Sequence, residues 1–393
     1  MEKVDVIIIG AGAAGLMCAI EAGKRQRKVM VLDHANKVGK KILMSGGGRC
    51  NFTNYQVTSA NFISHNLHFC KSALSRFTPW DFIARVKQHN IAFHEKTLGQ
   101  LFCDHKSQNI VDMLLADCRH ALVDIRLNAT ITHIEKLNDH HFKITSSRGD
   151  FHCQSLVIAS GGLSIPTMGA SPFGYKIAEQ FGIKVWPTRA GLVPLTFHTD
   201  DKEKFEVLSG IAIDSLVSNQ QQSFRENILF THRGLSGPAI LQISSYWQPG
   251  EYITINMLPD IDLDNYLYLQ KQQQSQKQLK TLLQELLPKR VVDIFLPADL
   301  ADKKLPTLSL QDFAYIKQQL QAWQLLPNGT EGYRTAEVTL GGVDCDAISS
   351  KTMQANQVAG LYFVGEVLDV SGWLGGYNFQ WAWASGWAAG QVV

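Results

Sequence analysis

Three glycines near the start of the chain have the spacing that a phosphate-binding turn requires. Gly10, Gly12 and Gly15 form a GxGxxG pattern directly after an apolar, β-branched run. The first glycine permits a tight turn, the second lets a pyrophosphate approach the backbone, and the third lets the next helix pack on the strand. Asp33 ends a second apolar run, where a carboxylate accepts hydrogen bonds from ribose hydroxyls. These residues predict a dinucleotide site without a 2′-phosphate, in which Ala13 also lies beside the cofactor.

A run of three glycines at 46–48 is the second feature suited to a dinucleotide cofactor. Its backbone amides have no side chains in front of them, so they can face phosphate or flavin oxygens. Ser160 and Gly161, which end another β-branched run, are predicted to line the same site. From the triglycine segment, the predicted lining residues are Lys41, Ser45, Gly46, Gly47, Arg49, Cys50 and Asn51.

A segment near the C-terminus favours FAD over NAD. An apolar strand ends at Gly365 and Glu366, and a long helix follows Gly376. A carboxylate there can hold the ribityl hydroxyls of a flavin, and the positive end of the helix can stabilise charge that develops on the reduced ring. NAD has no group that would be held by a segment so distant from the glycine-rich turn that binds its pyrophosphate. We therefore predict FAD, with Gly365, Tyr377, Asn378 and Phe379 beside it.

The elements that must position these motifs belong to an α/β fold. A strand at 4–9, a helix at 12–25 and a strand at 28–32 form the strand–helix–strand order of a parallel sheet. A helix should begin at Thr78, and three strands are predicted over 129–159, with turns at Asn138–Asp139 and Arg148–Gly149. The fold class predicted is a split Rossmann-type FAD-binding domain.

A change of composition places a second domain inside the first. Strands predominate over 191–260, and Gln-, Lys- and Leu-rich helical sequence follows over 261–325. Gly-rich, β-branched sequence returns near Thr335. We predict an inserted, mainly β plus helical domain of residues 191–334 between two parts of the FAD-binding domain, residues 1–190 and 335–393.

Charge and cysteine content limit which partners, metal sites and cellular location we expect. Lys plus Arg number 37 and Asp plus Glu 35, a net charge of +2, so there is no general electrostatic argument for nucleic acid or membranes, and we expect neither. The apolar run at 4–20 contains Asp5 and three glycines, which disfavour a membrane helix. The seven cysteines include no CxxC pair, so we expect no metal site and a reducing, cytoplasmic location.

Four long strings resemble the BaiN/YhiN-like family of FAD-dependent oxidoreductases, which is similar to two-domain flavoproteins with a glutathione-reductase-type fold. The strings are SGGGRCNFTN at 45–54, LFTHRGLSGP at 229–238, VTLGGV at 338–343 and GLYFVGEVLDVSGWLGGYN at 360–378. The resemblance implies that the backbone of Ile131 meets the adenine. It implies further FAD contacts at Gly10, Gly12, Ala14, Gly15, Asp33, Glu366, Gly376, Tyr377 and Asn378.

Two residues are candidates for catalysis beyond the cofactor. Cys50 follows the triglycine run, although a redox cysteine usually works with a resolving partner, and a structural or FAD-lining role is the alternative. His232 has a side chain suited to proton donation, and Arg233 beside a helix that Pro238 opens could dock an anionic group. The alternative for this segment is a turn that anchors the inserted domain.

The predicted function is an oxidoreductase that reduces a polarised C=C or related bond of a small organic substrate with electrons from NAD(P)H. One GxGxxG turn is present and FAD should occupy it, so NAD(P)H is expected as a transient co-substrate without a domain of its own. An FAD-dependent RNA-modifying enzyme and a non-catalytic flavin sensor or electron carrier are the alternatives. The sequence leaves the oligomeric state open.

Overall fold

A computed structural model describes residues 2–137, 141–273 and 276–393 of the protein. Contacts between Cα atoms divide the chain into two compact units. Unit 1 consists of residues 1–189 and 338–393, and unit 2 consists of residues 190–337. Unit 2 is therefore one continuous segment, whereas unit 1 is assembled from both ends of the chain.

A five-stranded parallel sheet forms the centre of unit 1. The apolar runs predicted as strands near the N-terminus are Val6–Ile9 and Val29–Leu32, and every residue in both is buried. Such continuous β-branched and apolar runs are typical of strands covered on both faces. In spatial order the strands are Leu361–Phe363, Ser155–Ile158, Val6–Ile9, Val29–Leu32 and Asp124–Arg126. This arrangement confirms the Rossmann-type α/β prediction.

Two helices pack closely because small residues face one another. Tyr377–Gly390 lies against Ala13–Lys24, and a Cβ on Gly386 would come within 2.3 Å of the Ala14 carbonyl oxygen. A larger residue at Gly386 would therefore push these helices apart. The other helices of unit 1 are Lys40–Gly48, Lys71–Arg76, Pro79–Gln88, Gln108–His120 and Phe173–Gln180.

Local sequence signals explain where several elements begin. Pro79–Gln88 starts as predicted: Thr78 is its N-cap, and the Thr78 backbone N–H donates to Asp81 Oδ2 at 2.7 Å. The region 129–159 differs from the prediction of three strands, because Ser155–Ile158 separates from the preceding hairpin to join the parallel sheet. The four strands are Ile131–Lys136, Phe142–Ser146, Gly149–Cys153 and Ser155–Ile158. The predicted turn at 138–139 lies outside the described residues.

Smaller sheets complete unit 1. Glu2–Lys3 joins the edge of the hairpin strand Gly149–Cys153. Phe62–Ile63 pairs antiparallel with Ser371–Gly372. The remaining strands are Asn51–Asn54, Phe93–Glu95 and Gln100–Cys103, which form one sheet, together with Val338–Val343 and Val185–Gly191.

Unit 2 contains a seven-stranded antiparallel sheet and a set of helices. Its core is aromatic, and the ring of Phe205 lies 5.2 Å from that of Phe295 and 5.1 Å from that of Trp323. In spatial order the strands are Trp323–Leu325, Ile253–Asn256, Ala212–Ser218, Ser223–Phe230, Gly234–Ser236, Leu195–Thr196 and Gly329–Thr330. The helices are Thr199–Phe205, Pro238–Ser244, Leu263–Gln272, Leu279–Leu283, Lys289–Phe295, Ala298–Ala301 and Leu310–Gln321.

The first and last residues of unit 2 lie beside each other. The Glu337 backbone N–H donates to the Leu192 carbonyl at 3.2 Å. Ala190, Val193 and Ala336 form a small buried cluster. The chain therefore enters and leaves unit 2 at one place.

Limited proteolysis of the native protein should cut first near 270–278 or at the predicted domain boundaries, since exposed polar segments and connections between compact units are cleaved most readily. Lys271 and Lys277 are tryptic sites in this stretch, of which residues 274 and 275 lie outside the described part. The check is mass spectrometry of the earliest fragments. First cuts inside residues 1–45 would contradict the split-domain prediction.

Across residues 2–137, 141–273 and 276–393, no helix is long and apolar enough to cross a membrane. Over the same described residues, no group of three or more His, Cys, Asp or Glu side chains is placed to hold a metal ion. All seven cysteines are buried and free.

Candidate active site

The glycine turn at the start of the chain has the geometry of a phosphate cradle. Gly10 has φ +118°, and a Cβ there would lie 2.3 Å from the Ala159 carbonyl oxygen. A Cβ on Gly15 would lie 2.0 Å from the Gly10 carbonyl oxygen. Gly12 is the N-cap of helix Ala13–Lys24, and a Cβ on it would meet no heavy atom of the described residues within 4 Å. Open space therefore lies before unpaired helix amides, which fits a pyrophosphate.

Asp33 is held rigidly beside this turn. Its Oδ2 accepts the Ala11 N–H at 2.7 Å, and its Oδ1 accepts the Ala35 N–H at 2.8 Å. Each oxygen keeps a lone pair that a ribose hydroxyl can use. The Ala129 N–H donates to the Asp33 carbonyl at 2.9 Å, which ties this residue to the segment before Ile131. Ile131 is half-buried at the start of its strand.

The triglycine run ends the segment Lys40–Gly48, and its backbone departs from right-handed helical geometry. Gly46, Gly47 and Gly48 have φ values of +57°, +64° and +85°, so three successive residues are left-handed. A Cβ on Gly46 would also lie 2.8 Å from the Phe102 ring, whereas Gly47 and Gly48 face open space among the described residues. The backbone conformation, rather than crowding, therefore requires glycine at the last two positions.

A polar network joins four distant parts of the chain at the carboxyl ends of the parallel strands. Lys41 Nζ lies 2.6 Å from Glu366 Oε2 and donates to Ser164 Oγ at 2.7 Å. Glu366 Oε1 accepts from Ser164 Oγ at 3.1 Å and from the Thr339 backbone N–H at 3.0 Å. We call these four residues the Glu366 network. Its carboxylate is partly accessible, so it can also accept a hydroxyl of the ribityl chain.

Ser164 and Thr339 were not among the residues predicted from the sequence. Thr339 Oγ1 accepts the backbone N–H groups of Leu163 and Ser164, at 2.8 and 3.1 Å. Both Ser164 and Thr339 have no exposed surface. Thr339 belongs to the VTLGGV string, which was the available signal, whereas Ser164 stands in a loop without a recognisable pattern.

Gly365 holds Glu366 over the first helix. Its N–H donates to Ser385 Oγ at 3.0 Å, and its carbonyl accepts the Trp381 indole N–H at 3.1 Å. Gly365 has φ +75°, and a Cβ there would lie 2.9 Å from the Ala14 Cβ. The turn before Glu366 therefore has little freedom to move.

The start of the C-terminal helix is locked in a similar way. Gly376 has φ +94°, and a Cβ on it would lie 2.4 Å from the Thr53 carbonyl oxygen. Asn378 Oδ1 accepts the Gly372 N–H at 2.8 Å, and Asn378 Nδ2 donates to the Gly372 carbonyl at 2.9 Å. The Asn378 side chain thus closes the loop before the helix. Phe379 packs on Trp383, with ring centroids 5.5 Å apart.

Other predicted residues line the same region with different degrees of exposure. Ser160 Oγ is buried and has no hydrogen-bond partner among the described residues, so a ligand at this strand end could satisfy it. The neighbouring Gly161 has φ +72°. The Asn51 side-chain amide lies 3.2 Å from Gln100 Oε1, and Arg49 is exposed.

The two catalytic candidates occupy different surroundings. Cys50 has no exposed surface, and this burial raises the pKa of its thiol above the ordinary value, so the thiol stays protonated. His232 is exposed in unit 2, and Arg233 Nη1 lies 3.9 Å from Glu331 Oε2. Pro238 opens a helix as predicted. Catalytic roles for Cys50 and His232 remain predictions.

A Cys50→Ala variant should keep turnover within about threefold of the parent, because a buried protonated thiol is a poor nucleophile. The measurement is the steady-state rate of the FAD-loaded enzyme. Thermal unfolding of the variant is the control, since the lost sulfur leaves a small cavity. A loss of turnover with normal stability and FAD content would establish a catalytic Cys50.

Comparison with known proteins agrees with this geometry. The profile of the HI0933-like protein Rossmann domain family matches residues 4–392. The chain belongs to this family of Rossmann-fold flavoproteins, and the resemblance to the BaiN/YhiN-like group is confirmed. It is an FAD-dependent oxidoreductase.

Three relatives match over almost their whole length. A ribosomal RNA dihydrouridine synthase of Escherichia coli strain K12 is 55% identical, over 100% of this chain and 98% of that protein. A Haemophilus influenzae protein of the same name is 50% identical, over 97% of this chain and 96% of that protein. A 3-dehydro-bile acid delta(4,6)-reductase of Clostridium scindens is 28% identical, over 98% of both.

Proposed function

We propose that this protein is a ribosomal RNA dihydrouridine synthase, which reduces the C5–C6 double bond of a uridine in ribosomal RNA. The observation that carries the proposal is the 55% identity, over the whole chain, to a protein of that activity. The proposal departs from the expectation of no nucleic-acid partner. That expectation rested on a net charge of +2, and a small net charge does not exclude a local RNA-binding surface.

The proposed reaction belongs to the chemical class predicted from the sequence. The C5–C6 bond of uracil is conjugated to the C4 carbonyl, so it is polarised as in an enone and accepts a hydride at C6 and a proton at C5. A delta(4,6)-reductase also saturates carbon–carbon double bonds. The same flavin chemistry therefore serves both activities, and the substrate-binding surfaces must differ.

The residues at the glycine turn and the Glu366 network fit FAD. The helix amides after Gly12 would hold its pyrophosphate, Asp33 its ribose, and Glu366 its ribityl hydroxyls. When bound, FAD supplies the ring that carries a hydride from a reduced nicotinamide to the pyrimidine. Lys41 orients Glu366, because its ammonium group donates to both the carboxylate and Ser164.

The site also needs a group that delivers the proton to C5. His232 is the exposed candidate, and an imidazole is a common proton donor in enzymes that work near neutral pH. Cys50 keeps its proton but has no exposed surface. We therefore propose His232 ahead of Cys50 as proton donor.

Mass spectrometry of nuclease-digested RNA tests the function directly. Ribosomal RNA transcribed in vitro is incubated with the FAD-loaded enzyme and NADH or NADPH, and dihydrouridine is expected as uridine with two added hydrogens. Omission of the nicotinamide and a transfer RNA transcript are the controls. Reduction of an enone steroid without any change in ribosomal RNA would overturn the proposal and favour a small organic substrate, as for the 28% identical relative.

Reduced nicotinamide should bind weakly and share the substrate cavity, giving ping-pong kinetics. A second glycine-rich strand end exists at Gly161 and Gly162, but it offers no cradle, because a Cβ on Gly162 would lie 2.5 Å from Thr339 Oγ1. Without a pyrophosphate site at this strand end, NAD(P)H loses much of its usual anchoring. Stopped-flow flavin reduction should show a rate that rises almost linearly with NADH. Saturation with a Kd on the order of 1 μM, about −8 kcal/mol, would reveal a dedicated pocket.

A further inference from the structure

We propose that a stack of three side chains in unit 1, formed by Lys184, Trp186 and His65, binds a nucleobase of the RNA on the outer face of His65. The proposal rests on the function proposed above and identifies a contact that would recognise RNA. We call these residues the His65 stack.

The three groups are layered. The rings of His65 and Trp186 are parallel within 2°, with centroids 3.7 Å apart. Lys184 Nζ lies 3.0 Å from the centre of the Trp186 ring. Because His65 covers one face of Trp186, the ammonium group must occupy the other face. The free face of the stack is therefore the outer face of His65, whose side chain is 51% exposed.

The orientation of His65 is set before any ligand arrives. Asp369 Oδ2 accepts the His65 backbone N–H at 2.8 Å and lies 2.8 Å from the ring Nδ1. Asp369 is almost completely buried. A carboxylate only accepts, so the side-chain contact is a hydrogen bond in the tautomer whose Nδ1 carries the proton. A ring fixed in this way loses little freedom when a base stacks on it, which favours binding.

The stack lies close to the Glu366 network. Asp369 follows Glu366 by three residues, and the Pro187 carbonyl next to Trp186 is within 2.3 Å of a Cβ built on Gly341, in the Thr339 strand. Trp186 also lines a cavity of about 350 Å³ with Leu163, the residue whose N–H donates to Thr339.

The chemistry of the stack favours a nucleobase. Every base has a flat π-face, and RNA-binding proteins use exposed aromatic rings for bases that are not paired. A buried structural stack would cover both side chains, whereas here the His65 side chain is exposed to solvent. The charged groups facing the stack are Lys184 on Trp186 and Asp369 on His65.

Variants that separate the ring face from the ring nitrogens test the proposal. The FAD-loaded, oxidised protein is titrated into a fluorescein-labelled ribosomal RNA transcript, and the Kd is measured by anisotropy. His65→Ala and His65→Leu should weaken binding roughly 5- to 100-fold, the range typical of one lost base stack. His65→Phe should bind within about threefold of the parent, because it restores an aromatic face. His68→Ala, an exposed histidine in the same loop, is the matched control.

Equal affinity of the Ala, Leu and parent proteins would overturn the proposal, as would a Phe variant as weak as the Ala variant. Failure of the parent protein to bind the transcript would overturn it too. Because this assay requires no turnover, its result is independent of the dihydrouridine measurement. A parent protein that binds RNA through His65 without reducing uridine would refute the proposed function and leave the stack established.

Discussion

An Asp33→Arg variant is expected to lose FAD during purification. The Asp33 carboxylate accepts two backbone N–H groups, from Ala11 and Ala35, and these position the turn that holds the dinucleotide. Arginine cannot accept either bond and places a cation beside the ribose. Each lost charge-assisted hydrogen bond is worth about 1.5–3 kcal/mol, so affinity for FAD should fall at least 100-fold.

The measurement is the flavin absorbance per protein after desalting, followed by titration of the apoprotein with FAD. His34→Arg is the matched control, since it places the same cation one residue further along, on a side chain that is 51% exposed. An Asp33→Arg protein as yellow as the control would show that the ribose does not depend on this carboxylate.

A Glu366→Gln variant should lose both FAD affinity and turnover, by 100-fold or more. The change removes the charge that Lys41 faces and weakens the hydrogen bonds from Ser164 and the Thr339 N–H. It also leaves a partly buried ammonium group without its partner, which should destabilise the apoprotein by about 2 kcal/mol. Thermal or denaturant unfolding of the apoprotein measures this second effect.

The double variant Lys41→Met/Glu366→Gln separates the two effects. Removing both charges should restore part of the apoprotein stability, because no unpaired charge remains. It should not restore FAD binding, since the acceptor for the ribityl hydroxyls is still absent. Recovery of both properties together would mean that Glu366 serves only as the partner of Lys41.

The parts of the site that were predictable are those with local signals. The glycine turn, Asp33 and the strands that flank them lie within about 30 consecutive residues, and their spacing alone indicates a nucleotide-binding unit. The capped helix after Thr78 was predictable for the same reason, since a capping box is a local pattern.

The Glu366 network could not be predicted in full, because it depends on distant pairing. Ser164 and Thr339 contact Glu366 only after the strands from both ends of the chain have formed one sheet. The apolar strand before Gly161 was predicted, but its separation from the hairpin, as Ser155–Ile158, was missed for a related reason. Its apolar run follows the hairpin without a strong turn signal, and only its parallel neighbours show that it belongs to another sheet.

The adjacent ends of unit 2 have a consequence for modularity. The chain enters unit 2 at Ala190 and leaves it at Glu337, beside Leu192. Unit 2 is therefore an insertion whose two ends are close enough to be joined directly. A short flexible linker in place of residues 190–337 would have little distance to span, and closing such a link costs little entropy. A lineage could therefore exchange this segment for another while leaving the nucleotide-holding turn and the parallel sheet of unit 1 untouched.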